Sequence, residues 1–240
     1  MSLVLSKRLL FLFILSFPWS GVLFGSEGII LLHGLARSSA SMAKMGRGLV
    51  EAGYVVVNVD YPSRKGSIQN LAQRAIAPAL RSEALRRCSR VHFVTHSMGG
   101  ILVRSYLAER EIKNLGRVVM LAPPNQGSEV IDRIGCWKIV QAVNGPAGAE
   151  LSTSPHSTPN RLGPIKFECG VLTGNRSINW INSLMIPGKD DGKVSVARSW
   201  TTGVKDHKVL PVTHPLIMKH QEVIRETIHF LQQGRFSRSG

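Results

Sequence analysis

The sequence predicts an α/β fold, a mostly parallel sheet flanked by helices. Three observations carry that expectation. Short continuous apolar runs recur along the chain, each followed by a longer amphipathic stretch. Turn residues and enough chain for a helical crossover separate the runs, as parallel strands require. The 240 residues are 43% hydrophobic and 19% charged, which suits one globular domain with a full core.

The elements follow in order. Gly28-Ile29-Ile30-Leu31-Leu32 reads as a buried strand, and residues 38–52 as a helix ended by Gly53. Residues 54–59 form a second strand, broken by Asp60-Tyr61-Pro62. Residues 68–87 are helical, with a kink or break at Pro78. Strand 91–94 runs to Ser97, helix 99–110 follows, and 117–121 is a fourth strand. Residues 125–164, rich in glycine and proline, interrupt the rhythm as short helices and loops, either a mobile cap or an irregular excursion. Strand 165–173, a loop at 190–194, strand 208–212 weakened by Pro211, and a closing helix over 216–232 complete the chain. In such sheets the chemistry lies beyond the carboxyl ends of the strands, where His33, Ser97 and Ala122-Pro123-Pro124 all fall.

Ahead of this domain, Lys7 and Arg8 precede an apolar run over 9–17 and then Pro18, Trp19, Ser20 and Gly21. That pattern over residues 1–26 reads as a secretory signal, although Phe24 fits poorly near a cleavage site at Gly25 or Ser26. An uncleaved anchor is the competing reading; the run is short against a span of about 20 residues, and Pro18 interrupts it. Either way the expected location is exported: periplasmic, secreted or at the cell envelope. Residues 27–240 remain as a single domain. Cys88, Cys136 and Cys169 show no metal-site spacing, and no bridge among them is expected; Cys169 reads as a small buried hydrophobe.

The formal charge is +15 and stays strongly basic without Lys7 and Arg8. Such a field favours anionic partners, including peripheral contact with an anionic membrane. The cations are scattered, and no aromatic-interleaved basic stripe suggests a nucleic-acid platform, so no nucleic acid is expected. Nothing in the sequence sets an oligomeric state.

Thr95-His96-Ser97-Met98-Gly99 is the most informative stretch. A serine at a strand-to-helix turn, with a small residue two positions on, is the pattern of a nucleophile elbow. Thr95 stands where the first glycine of Gly-x-Ser-x-Gly is usual, so local packing there must differ. Taken alone, the pentapeptide also suits a serine that merely caps the next helix. A nucleophilic serine needs a histidine base and an orienting acid. Of eight histidines, His214 lies just past the carboxyl end of the last strand. His96 is the elbow's variable residue, with its side chain expected to point away from the hydroxyl. His92 sits inside a strand, His33 at a glycine turn, His156 in the excursion, His220 and His229 on the closing helix, and His207 at the wrong end of the last strand.

Together Leu31-Leu32-His33-Gly34-Leu35, Thr95 to Gly100, Asp191-Gly192-Lys193-Val194 and Val212-Thr213-His214 resemble the α/β-hydrolases, specifically small bacterial lipases and esterases. The resemblance spans residues 28–234 and implies an α/β-hydrolase fold trimmed of its early strands at the N-terminus. It implies that Ser97 is the nucleophile, His214 the base and Asp191 the acid, with Asp190 as fallback. Leu35 and Met98 match the oxyanion-hole positions, acting through backbone N–H, and Pro124 to Ser128 help form the floor and rim. The implied activity is cleavage of a carboxylic ester, small-molecule or lipid, of short-to-medium acyl chain. The implied chemistry needs no metal and no organic cofactor. Acyl transfer on the same triad, or a non-catalytic envelope-binding protein on this scaffold, are the alternatives.

Overall fold

A computed structural model describes residues 26–134, 138–177 and 189–238. The signal-like segment and Cys136 lie outside the described residues. Among the described residues, no helix is long and apolar enough to cross a membrane.

Six parallel strands form one sheet in the order β2-β1-β3-β4-β5-β6. They are β1 (Glu27–Leu32), β2 (Val55–Val59), β3 (Arg90–His96), β4 (Leu115–Leu121), β5 (Cys169–Gly174) and β6 (Asp206–Leu210). Alternate side chains of β1 serve opposite faces. Ile30 and Leu32 pack with α2 (Ile68–Leu80), α3 (Glu83–Arg86) and α4 (Met98–Glu109). Ile29 and Leu31 pack with α1 (Ala43–Glu51) and the closing helix (Gln221–Gln233). The chain leaves β1 toward β2 and returns to β3 on the other side of β1. Right-handed crossovers travelling in opposite directions put α1 and α2 on opposite faces. A crevice therefore opens beyond the carboxyl ends of β1 and β3.

Several boundaries differ from the sequence expectation. Pro78 lies inside α2, in its last turn, where its missing N–H removes one hydrogen bond only. The break comes at Arg81–Ser82, where Ser82 N–H bonds the Ala79 carbonyl and α3 starts afresh. The expected helices 38–52 and 216–232 each begin with a 3-10 turn, Ser39–Met42 and Ile217–Lys219. Residues 165–168 precede β5 rather than belonging to it, because Ile165 N–H is taken by the Thr202 carbonyl. The last strand sits two residues earlier than expected and stops before Pro211.

The excursion at 125–164 contains α5 (Glu129–Ile134), α6 (Lys138–Ala149) and α7 (Thr158–Arg161). Glu150 ties it to α2, accepting the Ile68 N–H at 3.0 Å and the Thr158 hydroxyl at 2.7 Å. Arg104 of α4 ties it to the sheet side. Its buried guanidinium donates to the Asn125 carbonyl and Oδ1, and to the Pro159 and Gly163 carbonyls, at 2.7–3.1 Å. Burial without a carboxylate partner lowers Arg104 to about 10, so it keeps its charge at neutral pH. Cys88 and Cys169 are free and buried, and burial pushes the Cys169 thiol up to about 12.

Candidate active site

Strain marks the carboxyl edge of the sheet. Among the described residues, three non-glycine residues have positive φ: Ala36 (56°), Ser97 (53°) and Ala122 (50°). They follow β1, β3 and β4, at the crevice the topology opens. Ser97 combines its φ of 53° with ψ of −122°, a conformation costly for a residue with a Cβ. It is held by Ser97 N–H donating to the Leu121 carbonyl at 2.8 Å, while α4 starts at the next residue.

Thr95 is accommodated by the residue five positions on. A Cβ at Gly100 would stand 3.3 Å from Thr95 Oγ1 and 3.1 Å from Met120 Sδ. The volume that the usual first glycine leaves empty is thus supplied by Gly100. Thr95 is fully buried, and its hydroxyl has no hydrogen-bond partner among the described residues.

Asp191 and His214 meet as a pair. The His214 Nδ1–H donates to Asp191 Oδ2 at 2.8 Å, and both side chains are buried. That bond fixes the tautomer and leaves Nε2 with its lone pair. The other carboxylate oxygen, Oδ1, accepts the N–H groups of Lys193 at 3.0 Å and Val194 at 2.9 Å. The backbone joins the two residues again, His214 N–H to the Asp191 carbonyl at 2.8 Å. Asp190, the fallback acid, instead accepts the Gly192 N–H at 2.7 Å. The loop carrying Asp191 is anchored by Ser128, whose hydroxyl donates to the Lys193 carbonyl.

His96 packs directly on this pair, a contact that the sequence did not announce. Its ring lies 4.9 Å from the His214 ring, and its Nε2–H donates to the His214 carbonyl at 3.1 Å. Burial, then the charges of His214 and Arg37, hold it well below the usual imidazole range, so it is neutral. A Cβ at Gly34 would sit 2.8 Å from His96 Nδ1 and 3.1 Å from Ser97 Cβ. Glycine is what lets the loop after β1 close against the elbow. No pattern in the sequence announced this contact.

The loop after β1 is braced from β2. His33 stacks on Tyr61 at 4.0 Å between ring centroids, and the Tyr61 hydroxyl donates to the His33 carbonyl. His33 Nδ1–H donates to the Gly34 carbonyl, its Nε2 accepts the Tyr61 N–H, and Ser63 Oγ accepts the Ala36 N–H at 3.0 Å. Burial lowers the His33 imidazole. Among the described residues, the N–H groups of Leu35 and Met98 have no protein acceptor. Tyr61 and Ser63 escaped the sequence reading, although Asp60-Tyr61-Pro62 marks a strand's carboxyl end. Arg104 escaped it too, despite being the lone charge in the apolar stretch 101–107.

A family model described as the alpha/beta hydrolase family matches residues 29–202. No curated protein matches the chain at the sequence level. Solved structures do resemble it. Mature lipase BlEst2 of Bacillus licheniformis superposes with TM-score 0.68 at 20% identity, covering 86% of this chain and 92% of that one. The Pyrococcus furiosus esterase Pf2001 gives 0.58 at 19%, covering 87% and 83%. Phospholipase PlaB of Legionella pneumophila gives 0.60 at 20%, covering 73% of this chain and 46% of that one.

Proposed function

The chain belongs to the alpha/beta hydrolase family, and on that premise we propose that it cleaves carboxylic esters through Ser97, His214 and Asp191. The observation that carries this reading is the strained Ser97 at the end of β3, in one chain with a hydrogen-bonded Asp191–His214 pair at the same sheet edge. The lipase and esterase names of the similar structures agree with it. In this reading His214 Nε2 takes the Ser97 proton as the hydroxyl attacks the ester carbonyl. The oxyanion that forms is held by the N–H groups of Leu35 and Met98. The tetrahedral adduct collapses as His214 returns the proton to the departing alcohol, leaving an acyl-serine. Water, deprotonated by the same histidine, attacks the acyl-serine and regenerates Ser97. Asp191 holds the imidazole in the required tautomer and stabilises its protonated form.

The substrate is an ester of short-to-medium acyl chain or of a lipid. Export and contact with anionic surfaces fit the basic charge and the signal-like residues 1–26. The test is hydrolysis of p-nitrophenyl esters of graded chain length, wild type beside Ser97→Ala. Loss of about 10³-fold or more in kcat is expected; full activity in the variant would sink the assignment. The chain-length profile separates esterase from lipase.

A further inference from the structure

The loops that follow β1 and β2 line an open surface cavity of about 370 Å³, walled by residues 36–38 and 60–65. It adjoins the proposed oxyanion loop directly. Ala36 and Arg37 follow Leu35 in sequence, and Tyr61 is the ring stacked on His33. The excursion reaches the same rim, with Gly145 against the Arg64 carbonyl and Gly148 beside Leu35.

The wall is cationic. It carries Arg37, Arg64 and Lys65, and Asp60 is its only acid. Asp60 is already engaged: it accepts the Ser39 N–H at 2.7 Å and stands 3.6 Å from His33 Nε2. Among the described residues, none of the three cations is in an ion pair. A fourth cation, Lys193, comes from the acid's loop. Lys193 is exposed, and desolvation, then the charge of Arg37, hold its ammonium below the usual range. Arg37 and Lys193 both disfavour a charge on His96, the neighbour of Ser97. Within the cavity itself, cations come from two separate loops, Arg37 after β1 and Arg64 and Lys65 after β2.

Like charges held on one wall repel one another, and an anion placed among them relieves that repulsion. Guanidinium and ammonium groups grip phosphate and carboxylate through short, charge-assisted hydrogen bonds. We propose that this cavity is a subsite for an anionic group, a phosphate or carboxylate, carried by the ester substrate away from the scissile carbonyl. The inference rests on the ester-hydrolase reading and adds the charge class of the substrate to it.

The experiment compares monobutyrylglycerol with its 3-phosphate, both soluble, and titrates glycerol 3-phosphate into the protein by calorimetry. Wild type should prefer the phosphate ester by about tenfold or more in kcat/KM, mostly through KM, and bind glycerol 3-phosphate saturably. In Arg64→Gln/Lys65→Gln, and further in the triple variant with Arg37→Gln, the ratio of the two esters should fall toward one and the binding should weaken. A wild-type ratio near one without saturable binding would overturn the subsite. So would a preference that survives in the triple variant. A third arm uses vesicles of phosphatidylglycerol and of phosphatidylcholine. A preference seen only there, and absent from the soluble pair, would assign the cations to adsorption on anionic surfaces and remove the subsite. Should neither ester turn over, the hydrolase reading fails by itself, and the calorimetric titration still decides the subsite.

Discussion

His92 and His96 lie four residues apart on β3, both are buried, and burial lowers the basicity of both. Their surroundings are otherwise opposed. His92, near the amino end, faces Glu27 Oε2 at 3.3 Å, accepts the Arg117 N–H at 2.8 Å and meets the edge of Tyr54. Its environment is closed and charge-compensated. His96, at the carboxyl end, has no carboxylate beside it, packs on His214, and leaves Nδ1 without a partner among the described residues. Each ring leaves one nitrogen without a hydrogen bond among the described residues, but His92 Nε2 faces a carboxylate whereas His96 Nδ1 faces none. Residue type does not distinguish the two; position relative to the strand ends does.

The contrast predicts that damage at the carboxyl end appears in turnover and damage at the amino end in stability. The largest effect belongs to the partner of His214. Asp191→Asn should lower kcat by about 10³–10⁴-fold with little change in fold, because an amide donates where His214 Nδ1–H needs an acceptor. Steady-state kinetics with circular dichroism would check it, and near-normal kcat would dissolve the distinction. His96→Phe comes next. It removes the bond that holds the His214 carbonyl and should lower kcat by about tenfold, the equivalent of about 1.4 kcal/mol, with a displaced pH–rate profile. His92→Phe should leave kcat within about twofold. It strands the Arg117 N–H and should cost about 1–2 kcal/mol in urea unfolding. If the two phenylalanine variants lost activity equally, the comparison would be broken.

The smallest effect is on pH dependence. Both imidazoles have folded values below their unfolded value of about 6.5, so the unfolded chain binds more protons between those values. Their contribution to stability is complete above about pH 6.5 and is lost as pH falls toward the folded values. The carboxylates with lowered values, Asp60, Glu168 and Glu226, give up theirs only in more acid solution. The urea midpoint should therefore drop between pH 7 and pH 5, and drop less in His96→Phe. An unchanged slope in that variant would remove His96 from the account. His33 and His207, also lowered by burial, leave a residual slope.

Much of the fold was legible because a strand buried on both faces must be apolar throughout, and Gly28 to Leu32 and residues 118–121 are. The ends of the later strands were less legible. Ile165 and Phe167 look like strand residues, yet they serve the core from an irregular segment whose N–H pairs elsewhere. Tertiary packing used apolar side chains without needing a ladder. The break after α2 hid behind Pro78, whose position in a last turn makes it nearly harmless. Of the proposed site, Ser97, His214 and Asp191 were readable from motif and order. The braces were not: His96, Tyr61, Ser63 and Arg104 act across 118, 28, 27 and up to 59 residues of chain. Separations of that kind leave no local pattern.

Thr95 and Gly100 share one volume, and that sharing constrains the order in which the two positions can change. Alanine at 100 beside threonine at 95 adds a methyl where 3.3 Å separates it from Oγ1. Glycine at both positions leaves only a small void, which is milder than overpacking beneath a strained serine. The two positions are coupled: the side chain that residue 100 can carry depends on the one at residue 95.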